Sequence, residues 1–377
     1  MKKILIAPNS FKGSAHSVSA ARLFKKYLPQ FLPPDKYEFI TKPVSDGGDG
    51  FLKVCENNFE LVTIPFAVST PYNDDKFEIE FGYSAASKTV YIESANILGL
   101  EIIPKRERRQ LKLSSKGIGE LLLHLKNIKE EGKFEIEKVV VGIGGTGTSD
   151  LGIGCAGVFG LKLSDEKNNL LKLIPENFAK AGKINLPKIN LPFDIETVTD
   201  VDNPLTGERG AAKVFAKQKG ASPEEINIIE KGFIRILNLM NFSDGEITKL
   251  SGAGGGLAAG LNIFFGAKSK SSKNFILEDL GINKKNIDVQ ALVTGEGSFD
   301  AQSLMDKGAS VIINEFKNSG AEIFLCAGII KDDFEKEKFK DVYFLELKKY
   351  FSNEDESIKN IEKGILLASD EIARIIN

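Results

Sequence analysis

Residues 198–222 read VTDVDNPLTGERGAAKVFAKQKGAS. The residues that lead into this stretch, Asp194-Ile-Glu-Thr-Val-Thr199, have the composition of a strand. Asp200 and Asp202 follow where the backbone leaves that strand, and a spacing of two puts both on one side of an extended chain. Two like charges held together favour a cation between them, either Mg²⁺ carrying nucleotide phosphates or a nearby Lys or Arg. The plainer alternative is a polar turn with solvated acids. Asn203-Pro204 then turns the chain, and Gly207 and Gly210 flank Arg209. Beyond Ser222, residues 223–240 have helical spacing, with Ser222 as N-cap and Glu225 completing a capping box. The stretch is therefore a strand, a polar glycine-bearing loop and a helix in succession.

Working outward, the same unit recurs. Residues 3–8 read as a buried strand, Asn9-Ser-Phe-Lys-Gly13 as the loop after it, and 17–28 as a helix. Parallel sheets place ligands at such strand ends. A strand over 37–44 delivers Ser45-Asp46-Gly47-Gly48-Asp49-Gly50 into a helix over 51–57. Short strands are expected at 61–66, 77–81 and 90–93, and a basic, irregular connection at 104–110. A very apolar strand from Lys138 feeds Gly144-Gly145-Thr-Gly-Thr148-Ser-Asp150. Residues 162–192 read as a surface excursion, 251–260 as a second glycine loop entering a helix, and 268–274 as exposed loop. From Val289 the alternation resumes: strand, helix at 302–318, strands at 322–326 and 342–347, and a closing helix at 361–376.

This order predicts an α/β protein with mainly parallel sheets. A chain of 377 residues is too long for one ordinary core. Two domains are expected: a Rossmann-like one from 1–85 plus 288–377, built from both chain ends, and a second α/β domain over 86–287 inserted between its halves.

Composition excludes several classes. The 50 basic and 52 acidic side chains nearly cancel, so no nucleic-acid partner is expected. No apolar run reaches transmembrane length, so no membrane partner is expected either. Cys55, Cys155 and Cys326 are few, scattered and set among apolar neighbours, as in a reducing cytoplasm. Only His16 and His124 are present, which disfavours a histidine metal cluster; His124 lies in an apolar helical run and reads as packed or at the surface.

Gly142-Ile-Gly-Gly-Thr-Gly147 matches the dinucleotide pattern G-x-G-x-x-G, with Asp165 near the position of a ribose acid. The motif lies mid-chain, however, and carries side chains that such turns usually lack. No Walker A loop and no protein-kinase motif set occur. Four loops instead combine glycine, hydroxyl and carboxylate, at 45–50, 144–150, 251–256 and 294–300. Phosphoryl transfer uses that mixture, with N–H groups on phosphate oxygens, acids on Mg²⁺ and a carboxylate on the attacking hydroxyl. Glycines that merely permit tight turns are the alternative for any single loop.

The motifs Pro8-Asn-Ser-Phe-Lys-Gly-Ser14, Ser45-Asp-Gly-Gly-Asp-Gly50, Gly144-Gly-Thr-Gly-Thr-Ser-Asp150, Asp200-Val-Asp-Asn-Pro-Leu-Thr-Gly207, Gln218-Lys-Gly-Ala221, Ser251-Gly-Ala-Gly-Gly-Gly256 and Thr294-Gly-Glu-Gly-Ser-Phe-Asp300 are collinear. In this order and spacing the chain closely resembles the bacterial class-one glycerate kinases. The resemblance implies an ATP- and Mg²⁺-dependent enzyme that phosphorylates D-glycerate to 2- or 3-phosphoglycerate. It also implies an active site in the cleft between the two domains. The chain departs from the family pattern at Asn9 (usually Asp), Asp49 (Glu), Ser149 (Asn) and Ser298 (Arg), and has Asp306-Lys-Gly-Ala309 for Gly-Lys-Ala-Pro. A weakened paralogue that senses a phosphorylated metabolite, a kinase for another small hydroxy acid, and a dinucleotide oxidoreductase are the alternatives.

Under that resemblance the site roles are as follows. Lys12 neutralises the γ-phosphate or the substrate carboxylate. Asp46 orients the hydroxyl, with Asp200 as the other contender. Ser10, Asn203 and Arg209 bind glycerate, Arg209 by clamping its carboxylate unless it pairs with Glu208 instead. Gly47, Gly48, Gly144, Gly145, Thr148, Gly254, Gly295 and Lys307 receive the nucleotide. Asp202, Glu296 and Asp300 hold Mg²⁺, with helix capping as the alternative for Glu296. A homodimer is left open.

Overall fold

The computed structural model describes residues 1–200, 203–301, 303, 308–331, 333–334, 339 and 341–377. The chain divides into two compact units. One comprises Met1–Asp46, Lys53–Phe59 and Ser271–Asn377; the other comprises Gly47–Leu52 and Glu60–Lys270.

The first unit is a five-stranded, all-parallel sheet of β1 (Lys2–Ile6), β2 (Tyr37–Thr41), β12 (Ala291–Phe299), β13 (Glu322–Ile330) and β14 (Val342–Glu346). Its spatial order is β14-β13-β12-β1-β2. Numbered along the chain, this is the doubly wound order 2-1-3-4-5 of flavodoxin-like sheets, a relative of the Rossmann arrangement. The direction of winding reverses between β1 and β12, so the loops after those strands diverge and leave a crevice. Near-continuous apolar runs, Ile4-Leu-Ile6 and Ala291-Leu-Val293, are what a strand covered on both faces requires. The helices Ser17–Phe31 and Ile361–Ile376 pack together on one face, where Phe24, Leu28, Ile365 and Ile372 meet Ile4, Ile6 and Val293.

The second unit contains a mixed six-stranded sheet, ordered β11-β10-β6-β5-β4-β3, from β3 (Val62–Ser69), β4 (Lys76–Ser84), β5 (Thr89–Glu93), β6 (Lys138–Gly142), β10 (Asp194–Thr199) and β11 (Lys268–Ser271). β5, β6 and β10 are parallel, while β3 and β4 form an antiparallel hairpin on β5. That ladder sets the boundary: residues 60–84 hydrogen-bond into this sheet and so do not belong with the chain ends, where the break was expected at 85. Ser271 onward joins the first unit, earlier than the expected 288.

Three local expectations are corrected. Residues 162–192 are more than a surface excursion: β7 (Lys162–Ser164), β8 (Leu170–Leu171) and β9 (Lys183–Asn185) form a small antiparallel sheet. Leu163, Phe178 and Ala181 from this region are buried against Ile229, Phe233 and Ile236 of the helix Pro223–Leu239. Residues 268–274 are an edge strand and a helical turn, because Lys side chains suit a strand with one open edge. Third, β7 lies in its own antiparallel sheet, so residues 142–165 form no βαβ unit and Asp165 merely closes a turn onto Lys167 and Asn169. That removes the dinucleotide reading.

His124 stacks on Phe66 with ring centroids 4.1 Å apart, and burial lowers its pKa, so it packs. All three cysteines are buried free thiols. Among the described residues no helix is long and apolar enough to cross a membrane.

The capping box expected at Ser222 is present: Ser222 Oγ accepts from Glu225 N at 3.2 Å, and Glu225 returns the bond to Ser222 N at 2.8 Å. Ser222→Ala should lower the stability of the chain by about 1 kcal/mol, measured by urea unfolding.

Candidate active site

In the first unit the side chains of interest gather where β1 and β12 end. The loop after β1 is stitched to β12 by Ala7 N to Val293 O, Asn9 N to Gly295 O and Thr294 Oγ1 to Ala7 O, each at 2.8 Å. Two glycines of Thr294-Gly-Glu-Gly make this approach sterically open. A Cβ at Gly295 would lie 2.0 Å from Cys326 O, and one at Gly297 would lie 2.8 Å from Lys12 N. The missing side chain of Gly295 thus serves strand packing.

Asp46, which follows β2, is oriented by this junction. Its Oδ2 accepts from Asn9 Nδ2 at 2.6 Å, and its Oδ1 accepts from Gly308 N at 2.8 Å, in the first turn of the helix Gly308–Phe316. Asn9 is only 6 % exposed, and its own Oδ1 accepts from Ser10 N at 2.8 Å. A Cβ at Gly308 would fall 2.2 Å from Asn9 Nδ2, so glycine is needed there for the amide to reach Asp46. Asn9 therefore has an active orienting role that its reading as a lost acid did not anticipate.

Glu296 lies within β12, which removes the helix-cap alternative. Its Oε1 is buried with no hydrogen-bond partner among the described residues. Burial raises its pKa to about 7; Asp46 and Asp300 push it the same way, against a hydrogen bond with Ser303 and the charge of Lys12. Asp300 accepts from Ser303 N at 3.2 Å and pairs with Lys331 at 3.0 Å. Lys12 is exposed and Ser10 partly so. A hard cation takes oxygen ligands, and Mg²⁺ commonly uses only one or two carboxylates beside substrate phosphates and water. Glu296 with its unpartnered oxygen, and Asp300 beside it, fit that requirement. No group of three or more candidate metal-ligating side chains stands together among the described residues.

In the second unit the loops converge on the C-terminal ends of β5, β6 and β10. Gly47 has φ +89°, and a Cβ on it would lie 2.3 Å from Val198 O; one on Gly144 would lie 2.5 Å from Gly48 Cα. Glu93, at the end of β5 and 3 % exposed, accepts from Gly50 N and Leu52 N at 2.9 Å each, which caps the helix Phe51–Asn58. Gly254, Gly255 and Gly256 have φ of +65°, +67° and +87°, three successive left-handed residues that side chains would strain. Gly145 is left-handed too, at +63°. Thr148 is fully buried, and its Oγ1 has no partner among the described residues. Asp200 is partly exposed at the end of β10.

Asn203 Nδ2 donates to Arg209 O at 2.8 Å, which closes the loop and leaves the Arg209 side chain exposed. Glu208 pairs with Lys213 at 2.6 Å, and the alternative Arg209–Glu208 pair is not formed. Asp202 and Lys307 lie outside the described residues. Sequence reasoning also missed Glu93, Gln110, Asp150 and Lys219 as supports of these loops. Of these, Lys219 and Asp150 stand in motifs that the sequence had singled out, Gln218-Lys-Gly-Ala221 and Gly144–Asp150.

Fold and site define an α/β protein whose glycine, hydroxyl and carboxylate loops sit at parallel strand ends, as in small-molecule kinases. The sequence profile of the glycerate kinase family matches residues 4–377, and the chain belongs to that family. It is 31 % identical to a glycerate kinase of Halalkalibacterium halodurans over 89 % of this chain and 87 % of the relative. It is 30 % identical to a glycerate 2-kinase of Escherichia coli K12 over 88 % and 86 %. A crystal structure assigned as glycerate kinase 2 from Salmonella typhimurium LT2 superposes with a TM-score of 0.77 at 26 % identity, covering 100 % of this chain and 98 % of that one.

The Glu296 carboxyl carries a pH signature. Its folded-state pKa of about 7 lies above the ordinary 4.5, so the fold disfavours the ionised form. The destabilisation is absent where both states are protonated, grows as pH rises through 4.5, and is complete above about 7. Glu296→Gln should therefore stabilise the chain at pH 8 by on the order of 1–3 kcal/mol, with the difference fading towards pH 4.5, as read by urea unfolding at both pH values.

Proposed function

We propose that the protein transfers the γ-phosphoryl group of Mg-ATP to a hydroxyl of D-glycerate, at the 2-position for which the Escherichia coli relative is named. The observation that carries this reading is the orientation of Asp46 at the sheet's switch point by the Asn9 amide and the Gly308 N–H. These two N–H donors, one on each oxygen, fix the carboxylate in place. An acceptor fixed in this way orients an attacking hydroxyl. In the transfer the hydroxyl oxygen bonds to the γ-phosphorus and the bond from that phosphorus to the bridging oxygen of ADP breaks. The hydroxyl proton passes to the carboxylate. A loose phosphoryl transition state asks little basicity of that acceptor, so positioning dominates.

Lys12, exposed on the same loop, balances phosphate or carboxylate charge. Ser10, Asn203 and Arg209 take glycerate, Arg209 through a bidentate contact with its carboxylate. The loops at Gly47-Gly48, Gly144-Gly145 with Thr148, and Gly254 take nucleotide phosphates through backbone N–H groups, with Gly295 and Lys307 assigned to the same ligand. Asp202, Glu296 and Asp300 are assigned to Mg²⁺, which would neutralise phosphate charge when bound. The near-balance of charge supports a small-molecule partner over nucleic acid, and three buried thiols support a cytoplasmic setting.

Glycerate-dependent ADP release, with the product identified by phosphorus NMR, tests the reading; nucleotide binding without turnover would point to a sensor instead. Asp46→Ala should lower kcat by 10²-fold or more with little change in the KM for ATP. Wild-type turnover in that variant would remove Asp46 from the scheme.

A further inference from the structure

The Gln218-Lys-Gly-Ala221 motif has no part in the scheme above, yet it contains the most deeply buried cation of the second unit. Lys219 is 6 % exposed, and lysines are seldom buried unless their charge is met. Its Nζ donates to Thr148 O at 2.8 Å and lies 3.5 Å from Thr146 Oγ1. The main-chain carbonyl of Lys219 accepts from Gln110 Nε2 at 3.0 Å, and the same amide nitrogen donates to Gly147 O at 3.0 Å. Gln110 Oε1 accepts from Ser149 Oγ at 3.3 Å. Every residue from Thr146 to Ser149 is therefore held by Lys219 or Gln110. The second glycine loop closes on the same point: a Cβ at Gly255 would lie 2.1 Å from Thr148 O and 3.0 Å from Lys219 Nζ.

This clamp has a consequence for the other side of the loop. In a planar trans peptide the C=O and N–H point in opposite directions. With the carbonyls of Gly147 and Thr148 drawn to Gln110 and Lys219, the N–H groups of Thr148 and Ser149 each point away from those partners. Consecutive N–H groups on one face make an anion-binding concavity. Two further observations indicate that an anion belongs near. Thr148 Oγ1 is fully buried without a partner among the described residues. Asp150, the charged group that acts on the ammonium, has its carboxylate engaged by Ser115 N, Ser115 Oγ, Gly152 N and Gly154 N. The remaining neighbours, Thr146, Thr148, Gly255 and Gln110, are neutral. Burial lowers the Lys219 pKa to about 8, with Asp150 offsetting part of that effect.

We propose that Lys219 is the positioning residue of an oxyanion site in the Gly144–Asp150 loop. It holds the loop so that the Thr148 and Ser149 N–H groups and the Thr148 hydroxyl receive a phosphate of the nucleotide. The inference rests on the reading that this loop takes nucleotide, and it extends that reading to residues with no previous role.

The test measures binding of ADP and of D-glycerate separately, by calorimetry on the full chain, for wild type, Lys219→Met, Lys219→Arg and Thr148→Val. We expect ADP to bind about tenfold more weakly to Lys219→Met, with partial recovery in Lys219→Arg and glycerate affinity unchanged. Thr148→Val, near-isosteric and free of an unpaired hydroxyl, should keep or raise thermal stability while weakening ADP several-fold. A purely structural role would not produce that combination. Wild-type ADP affinity should fall above about pH 8 as the ammonium deprotonates, and Lys219→Met should be flat there. If Lys219→Met fails to fold, the Thr148→Val result and the wild-type pH profile decide the matter. Wild-type ADP affinity in Thr148→Val with no fall above pH 8 overturns the proposal. So does a loss in Lys219→Met that is equal for ADP and glycerate. ADP binding that depends on Lys219 without glycerate turnover would sink the proposed reaction and leave this site standing.

Discussion

The parallel ladder between β1 and β12 is the constraint on which the first unit depends. It pairs Ile4 with Ala291 and Ile6 with Val293, so its formation closes a loop that spans most of the chain. Such closure is unfavourable in entropy, though the cost grows only slowly with loop length. Burial of Ile4, Leu5, Ile6, Leu292 and Val293, all at 0 %, offsets it. Once β12 lies beside β1, the winding of the sheet must reverse there. The reversal brings Asn9, Asp46, Glu296 and Gly308 into one neighbourhood from three separate parts of the chain.

The second unit achieves a similar result with buried polar groups. Glu93, Gln110 and Lys219 each satisfy main-chain groups of a glycine-bearing loop, and Asp150 satisfies main-chain N–H groups at the starts of two helices. Loops of this composition would otherwise sample many conformations, because glycine gives up the most freedom on folding. Buried N–H and C=O groups must find partners, and here long-range side chains provide them. Asp150 illustrates the balance. Burial raises its pKa, while the bonds it accepts from Ser115, Gly152 and Gly154 pull the other way. It acts as a cap for the helices Lys116–Glu130 and Ile153–Val158, although its place in a glycine, hydroxyl and carboxylate motif suggested ligand chemistry.

Much of this was legible in order along the chain. The alternation of apolar strand, polar loop and helix announced an α/β protein, and the capping box at Ser222 is a short-range signal that local chemistry alone produces. Glycine was read correctly as a marker of loops at strand ends. Its several uses were not separable: Gly295 and Gly144 make room for neighbouring backbone, whereas Gly254 to Gly256 are needed for their left-handed conformation. The β3–β4 hairpin was assigned to the wrong unit because strand pairing partners leave no periodic trace.

By itself the sequence determined the class of fold and the places where loops leave parallel strands. These follow from short-range physics, namely side-chain periodicity, turn preference and capping. Tertiary structure alone decided that Asn9 orients Asp46, that Glu296 is buried with an unpartnered oxygen, and that Lys219 sits beneath two glycine loops. Each depends on contacts between residues far apart in the chain, where burial and hydrogen-bond satisfaction set the outcome and local spacing carries no record of the partner.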